Sequence, residues 1–446
     1  MPAVPPPARE PYAQRRARLL EGRHNAVAVV AASPERLRSG DSHYPYRASS
    51  DLLYLCGFPE PEALLVIEGS PVDRTTLFCR PRDAAREIWD GLRFGPEGAR
   101  EVFGVDEAYP LDAIDAQLPT LLRAKDELWY ALGALPALDQ RLLSMLETLR
   151  GGRRTPDQAP GVLVDPRPRL HSLRARKDAD EIRLMREAAA LTLGGHLEAM
   201  RVTAPGLHEY EVQAALERTF RAGGAAGPAY SSIVAGGENA CILHYTENRS
   251  VLQEGELLLI DAGAEVHGYA GDITTTFPVG ERFTGPQGTL YEAVLAAERF
   301  AISLVRPGIS QHEIHEATCR HLSQSLLDIG LLEGSLDDVI ESAAYKRFFM
   351  HGTGHYLGLD VHDVGPYYVA PSQPVPLEPG MVITIEPGLY VSRRDPESPE
   401  GFAGTGIRIE DDVLVTEEGH EVLTTGLPRD REEIEAFRRD ARGPRA

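Results

Sequence analysis

Cysteine is scarce in this chain. Cys56, Cys79, Cys241 and Cys319 are spread over 446 positions and never form a CxxC pair. That argues against a disulfide framework or a zinc–thiolate site and fits a reducing compartment. Long apolar runs are missing too. No stretch approaches the roughly 18 apolar residues that a membrane span requires. The opening "MPAVPPPAREPYAQRRARLLEG" has no apolar core of signal-peptide length. Positive charge is in deficit: 46 Lys and Arg face 67 Asp and Glu, a net charge of −21. Nucleic acid and anionic membrane surfaces are poor partners for such a chain. The expectation is a cytoplasmic globular protein. Its 42% apolar and 25% charged residues suffice for two or three domains with real cores.

The segment 150–178, "RGGRRTPDQAPGVLVDPRPRLHSLRARKD", is rich in Pro, Gly and Arg and reads as a linker. It divides the chain into an expected first domain, 1–172, and a second, 173–446. Before it, short strands ("NAVAVVAA", "ALLVIEG", "TTLFCR") alternate with helical stretches such as "ALDQRLLSMLETL", which predicts a smaller α/β domain. After it, Asp178 and Glu181 form a capping box for a helix. Ile182, Met185, Ala189 and Leu193 recur on one face of that helix.

The second part repeats itself. "APGLHEYEV" (204–212) matches "RPGISQHEI" (306–314), and "LQEGELLLIDAG" (252–263) matches "LEPGMVITIEPG" (377–388). Asp261 thereby falls on Glu386. Each half adds a second acid beside a strand, Asp272 in "GDITTTF" and Glu410 in "GIRIEDDVLV". Duplication predicts a pseudo-symmetric α/β (α+β) domain with four carboxylates near its axis. Within the first half, "AGAEVHGYAG" reads as a hairpin turn. If it turns around Val266 and His267, Asp261 faces Asp272 directly, and like charges so opposed are destabilising. Either one keeps its proton or a cation lies between them; a slip of one residue would separate them. Four carboxylates together carry about −4, which a low-dielectric cleft cannot hold without cations. Two divalent ions nearly balance it, and such a pair lowers the pKa of a bound water. Oxygen ligands with one or two imidazoles suit Mn, Co, Zn or Fe.

The imidazoles come from "HGTGHYLGLDVHDVG" (351–365), where His351, His355 and His362 fall within twelve residues. The His351–His355 spacing resembles HExxH. The intervening Gly352 and Gly354 disfavour a helix, and the Glu is missing. His244, in "CILHYT", is a candidate substrate contact in the first repeat.

In this order, "DAGAEVHGYAGDITTTFPV", "HGTGHYLGLDVHDVG", "TIEPGLYV" and "GIRIEDDVLV" resemble the pita-bread metallopeptidases, and the bacterial aminopeptidase P (Xaa-Pro aminopeptidase) family in particular. "GDSHYPYRASSDLLYLCGFPEPEALLVI" and "REIWDGLRFG" resemble that family's first domain. The resemblance implies a ligand set: Asp261 on one metal, His355 and Glu386 on the other, Asp272 and Glu410 bridging both. Two divalent ions are implied, Mn2+ first, with Zn2+ or Co2+ as alternatives. Glu386 would also orient or deprotonate the water. His244 and His362 would contact substrate, and Tyr390 and Arg408 would form a supporting pair near Asp261. His351 is assigned a structural role. The implied reaction is hydrolysis of the bond between a first residue and proline. Prolidase, which cuts only the dipeptide, is the alternative, with Arg393 and Arg394 as possible carboxylate anchors; a metal-free binding module is a third. A homo-oligomer, dimer or tetramer, is also implied, with Asp41 and Trp89 as candidate contacts to a neighbour's site.

Overall fold

The computed structural model describes residues 9–151 and 158–442. The chain separates into two compact units, Met1–Arg174 and Ala175–Ala446.

The first unit is built on a six-stranded mixed sheet. Its order is Glu107–Pro110, Arg74–Cys79, Leu64–Glu68, Ala26–Ala31, Glu127–Trp129 and Val162–Val164. The central strands are near-continuous apolar runs because the sheet is covered: Val27, Val66, Phe78 and Leu128 pack with Leu118 and Leu122 of the helix Ile114–Leu122 and with Leu142 and Leu146 of the helix Pro136–Arg150. The stretch read as a linker is partly structured. Residues 152–157 lie outside the described residues, but Val162–Val164 extends the sheet in parallel to Glu127–Trp129, and Arg167–Ala175 is helical. A Pro-rich composition hid these elements. The strand is only three residues long, and proline is tolerated in a first helical turn.

In the second unit the capping box forms as expected. Asp178 accepts from the Asp180 and Glu181 amides, and Glu181 accepts from the Asp178 amide. The helix it starts, Ala179–Val202, buries Met185, Ala189, His196 and Ala199.

The repeat is physical. The first copy runs from that helix through a Pro-Gly turn into the helix Glu209–Ala222; the second runs from Gly285–Leu304 into Gln311–Ile329. In each copy the turn pairs with the segment leading into the acid-bearing strand. The Gly206 amide donates to Leu252 O (2.8 Å) and the Leu252 amide to Leu207 O (2.8 Å). Their counterparts are Gly308 to Leu377 O (2.9 Å) and Leu377 to Ile309 O (2.6 Å). His208 bridges Val251 as Ser310 bridges Pro376. The strand Leu257–Ala262 then pairs antiparallel with Ile273–Pro278, and Val382–Ile385 with Asp411–Val415. Residues of both halves, Leu258, Ile260 and Phe277 with Leu389, Ile407 and Ile409, share one core. This is the pseudo-symmetric α/β architecture that the duplication predicts.

One register differs from expectation. Asp261 pairs with Thr274, not with Asp272. The hairpin turns at His267 and Gly268, whose φ values of 50° and 88° suit a tight two-residue turn. Moving the turn centre by one residue moves the register by two, so both acids keep the same face. They are diagonal neighbours, close enough to interact. Among the described residues, no helix is long and apolar enough to cross a membrane.

Candidate metal centre

Each half delivers its acids at the end of a strand. Asp261 lies near the end of Leu257–Ala262, and Asp272 precedes Ile273–Pro278. Glu386 follows Val382–Ile385, and Glu410 precedes Asp411–Val415. The halves meet there: an isolated bridge joins Thr274 to Glu410. The Glu410 amide donates to Thr274 O (3.1 Å), and Thr274 Oγ1 donates to Glu410 Oε2 (2.6 Å).

His355 enters from the glycine-rich loop. That loop runs beside Val382–Ile385: the Thr384 amide donates to His355 O (2.9 Å), and the Glu386 amide to Thr353 O (2.8 Å). The approach needs glycine at 354, where a Cβ would stand 1.9 Å from Thr384 O. His355 Nδ1 lies 3.0 Å from the Tyr356 carbonyl, which can only accept. The ring proton is therefore on Nδ1, and the Nε2 lone pair faces the acids. Nε2 lies 3.6 Å from Asp272 Oδ2 and 3.6 Å from Glu386 Oε1. One donor atom each from Asp272, His355 and Glu410 falls within 4.8 Å of the others, a spacing that could hold an ion.

Asp261 is held differently. Its Oδ2 accepts from Arg408 Nη2 at 2.5 Å and its Oδ1 from the Tyr230 hydroxyl at 2.6 Å. The same hydroxyl contacts Asp272 Oδ1. One phenolic hydrogen can serve only one of these oxygens at a time. Arg408 Nη1 donates to the Tyr390 oxygen (2.9 Å) and Nε to Thr274 Oγ1 (3.2 Å). His351 Nδ1 donates to Gly352 O (2.7 Å), so its Nε2 accepts from the Tyr390 hydroxyl (2.8 Å). Asp261, Arg408, Tyr390 and His351 thus form one hydrogen-bonded chain. His362 packs edge-on to His355, ring centres 4.4 Å apart, and is exposed. His244 is exposed just beyond the turn Gly237–Cys241 and forms no hydrogen bond among the described residues.

Sequence reasoning missed several partners. Tyr230, in "GPAYSSIV", carries no spacing signal. Asp412, whose Oδ2 accepts from the Asp272 amide (3.2 Å), had one: it stands two positions after Glu410, where alternate strand residues share a face.

Burial and mutual repulsion push the acids' protons on. Desolvation, then Asp261 and Asp412, raise Asp272 well above the usual carboxylate range. Desolvation, then Asp272 and Glu386, do the same to Glu410. Glu386 is pushed up to about 8, chiefly by burial. His355 is lowered to about 4 by burial, which keeps its imidazole neutral. A donor set of hard oxygens with one oriented imidazole, unable to ionise fully without added positive charge, fits divalent cations.

The pH dependence of the metal-free protein follows. His196, His351 and His355 are lowered to about 4, 3 and 4, and below about 6.5 the unfolded chain binds the protons they refuse, so their effect makes stability rise with pH there. Above it they are neutral in both states. From about pH 6.5 to about 8 the folded acids retain protons that the unfolded chain has lost, so stability falls. The melting temperature of the chelated protein should drop across this window and recover on adding divalent cation, most strongly at the alkaline end. An apo profile that is flat or rising there contradicts the charge assignment.

Comparison with known proteins bears on the same centre. Residues 183–417 match the model of metallopeptidase family M24, and residues 12–129 that of the aminopeptidase P N-terminal domain. The chain is 44% identical over 433 residues to the Xaa-Pro aminopeptidase of Escherichia coli, covering 96% of this chain and 98% of the relative. It is similar in structure to aminopeptidase PepP of Pseudomonas aeruginosa, at 45% identity and a TM-score of 0.95, covering 98% of this chain and 99% of that one. A zinc-substituted E. coli aminopeptidase P in complex with product matches at 44% identity and a TM-score of 0.94, with the same coverage of each chain. Asp272, His355 and Glu410, gathered at the seam of the two halves, form a group that could hold a metal ion, and the chain belongs to metallopeptidase family M24.

Proposed function

We propose that this protein is a Xaa-Pro aminopeptidase that removes the first residue from peptides with proline in second position. The observation that carries the reading is the convergence of Asp272, His355 and Glu410 donor atoms, in a chain resembling Xaa-Pro aminopeptidases over nearly its whole length. Asp261, Asp272, His355, Glu386 and Glu410 would hold two divalent ions, with Mn2+ the expected one. When bound, such ions supply charge neutralisation, polarisation of the scissile carbonyl and a water acidic enough to attack at neutral pH.

The chain's own residues do the rest. Glu386, beside His355, takes the proton from the attacking water and returns it to the leaving proline nitrogen. His362 and His244 donate to the carbonyl oxygen as its negative charge grows. Arg408 fixes Asp261, and Tyr390 with His351 fixes Arg408. The substrate's ammonium terminus sits against the acid cluster, which limits cleavage to the first bond. The tertiary amide of proline, a poor substrate for general proteases, makes a dedicated pocket worthwhile.

We also read the protein as a cytoplasmic homo-oligomer, dimer or tetramer. Support for association is the helix Ala84–Asp90, on which Ile88 and Trp89 are 81% and 84% exposed. Asp41 lies in an exposed turn and is the second candidate contact. Support for the compartment is the four unpaired cysteines, and cell fractionation tests it. Sedimentation should show a dimer or tetramer that Trp89→Ala shifts toward monomer; a monomeric wild type removes this reading.

Asp272→Asn and Glu410→Gln should each abolish most turnover, a loss of roughly 10- to 100-fold or more, and His355→Ala should behave alike. Titration of the chelated wild type should saturate at two ions per chain. Full activity with one ion or none contradicts the two-metal reading. His351→Ala should be milder: its ring hydrogen-bonds Gly352 and Tyr390 and only approaches Glu386, at 3.8 Å.

Peptide length separates the two peptidase chemistries. A strict dipeptidase pairs the substrate carboxylate with a buried cation, which penalises longer chains. Arg393 and Arg394 are both exposed here. Tripeptides and longer peptides with proline second should be cleaved at least as well as Xaa-Pro, compared as kcat/KM, and Arg393→Ala and Arg394→Ala should change tripeptide turnover little. A strong dipeptide preference lost in either variant would assign the protein as a prolidase.

A further inference from the structure

The two halves that supply the acids share one core, but little backbone hydrogen bonding joins their acid-bearing strands. Within each half, a continuous antiparallel ladder carries the strands: Leu257–Ala262 with Ile273–Pro278, and Val382–Ile385 with Asp411–Val415. Between the halves, the acid-bearing edges meet at one isolated backbone bridge, Thr274 to Glu410. The other polar links beside it are made by side chains: Thr274 Oγ1 donates to Glu410 Oε2 (2.6 Å), the Asp272 amide to Asp412 Oδ2 (3.2 Å) and Thr276 Oγ1 to Arg408 O (2.9 Å). Yet Asp272 stands two residues before Thr274, and Glu410 is itself in the bridge. The gap between these two acids is therefore set by one backbone link and by side-chain hydrogen bonds across the seam, not by a continuous ladder.

A guanidinium sits on that seam. Arg429 follows the strand His420–Val422 and is largely buried, its side chain 14% exposed. Nη1 donates to Thr274 O (2.9 Å). Nη2 donates to Glu410 O (2.7 Å) and to Asp411 Oδ1 (2.6 Å). One planar group thus grips a carbonyl from each half, at the two residues that form the bridge. Thr274 O accepts both from the Glu410 amide and from Arg429, so the side chain doubles the backbone link at the bridge. Asp411 points away from the acids because it alternates with Glu410 and Asp412 along its strand. Its carboxylate, which also accepts from Thr424 Oγ1 (2.6 Å), anchors the guanidinium from the opposite side.

We infer that Arg429 is a positioning residue for the metal centre: it clamps the seam between the two halves and so sets the separation of Asp272 and Glu410. It touches none of the proposed donor atoms, and its contact with Glu410 is to the main chain. The clamp depends on the fork. Donors on separate nitrogens reach two carbonyls at a fixed spacing, whereas a lysine keeps the charge facing Asp411 but offers only one nitrogen. Ligand atoms must be held to within about half an ångström for a productive site, and loss of a supporting contact of this kind typically costs roughly 10- to 100-fold in metal affinity.

The inference rests on the divalent-metal reading of the acids, and the test reads the metal without peptide. Mn2+ binding to chelated full-length wild type, Arg429→Lys and Arg429→Met is measured by calorimetry, with urea unfolding of each apoprotein and kcat and KM on an Xaa-Pro-Yaa peptide. Arg429→Lys should bind Mn2+ roughly 10- to 100-fold more weakly, with kcat restored at saturating Mn2+ and KM unchanged. Arg429→Met should show the same loss or a larger one; if it does not fold, the lysine variant carries the test. Wild-type Mn2+ affinity in Arg429→Lys overturns the proposal. So does a lowered kcat that saturating Mn2+ leaves unrestored, since that marks a general structural role. If wild type fails to cleave Xaa-Pro peptides while Arg429→Lys still binds Mn2+ more weakly, the peptidase assignment falls and the clamp stands.

Discussion

The rest of the second unit is arranged around a charge that cannot stand alone. Asp261, Asp272, Glu386 and Glu410 converge where two half-domains meet, and Asp272 and Glu410 are almost wholly buried. Without cations, burial and mutual repulsion make several of them hold protons at neutral pH. Arg408 is the one cation hydrogen-bonded to Asp261 among the described residues, and a single guanidinium does not offset four acids. An apolar isostere would pack more cheaply at any of these positions. What Asp272, Glu410 and the neighbouring His355 provide is a group that could hold a divalent ion, as the metallopeptidase family implies, and the surrounding hydrogen bonds hold these side chains in place.

Those bonds show how the donors are oriented. A backbone carbonyl sets the His355 tautomer, a threonine hydroxyl holds Glu410, and the Asp412 carboxylate takes the Asp272 amide. The Asp261–Arg408–Tyr390–His351 chain crosses from the first half into the second. Every one of these supports is polar and lies mostly in the interior. Each therefore loses more when left unpaired than it contributes when paired, so the shell is rigid as a set.

Duplication explains why the centre lies where it does. Each half brings an acid to the end of an equivalent strand through an equivalent Pro-Gly turn, down to matched hydrogen bonds at Gly206 and Gly308. The halves are not equal in chemistry. The second contributes His355 from its glycine-rich loop, while the first lets Tyr230 reach across Asp261 and Asp272. A symmetric frame with an asymmetric lining suits a reaction whose two ends differ, an ammonium on one side and a proline on the other.

Much of this was legible in the sequence. The strands before Asp261 and Glu386, the capped helix at Asp178 and the alignment of Asp261 with Glu386 follow from periodicity and repetition, which are local properties of the chain. The pairing of Asp261 with Thr274 was not legible. It depends on whether the hairpin turns one residue earlier or later, and the choice at His267–Gly268 is made by backbone conformation and by how the two strands pack. Tyr230, Thr274 and Arg429 were invisible for a related reason: a phenol, a hydroxyl or an arginine far along the chain announces nothing until folding brings it to a particular carbonyl or carboxylate. The sequence by itself determined which acids and imidazoles exist and which strands carry them. Only the tertiary structure decided how far apart they stand, because that distance is set by contacts across the seam between residues more than a hundred positions apart.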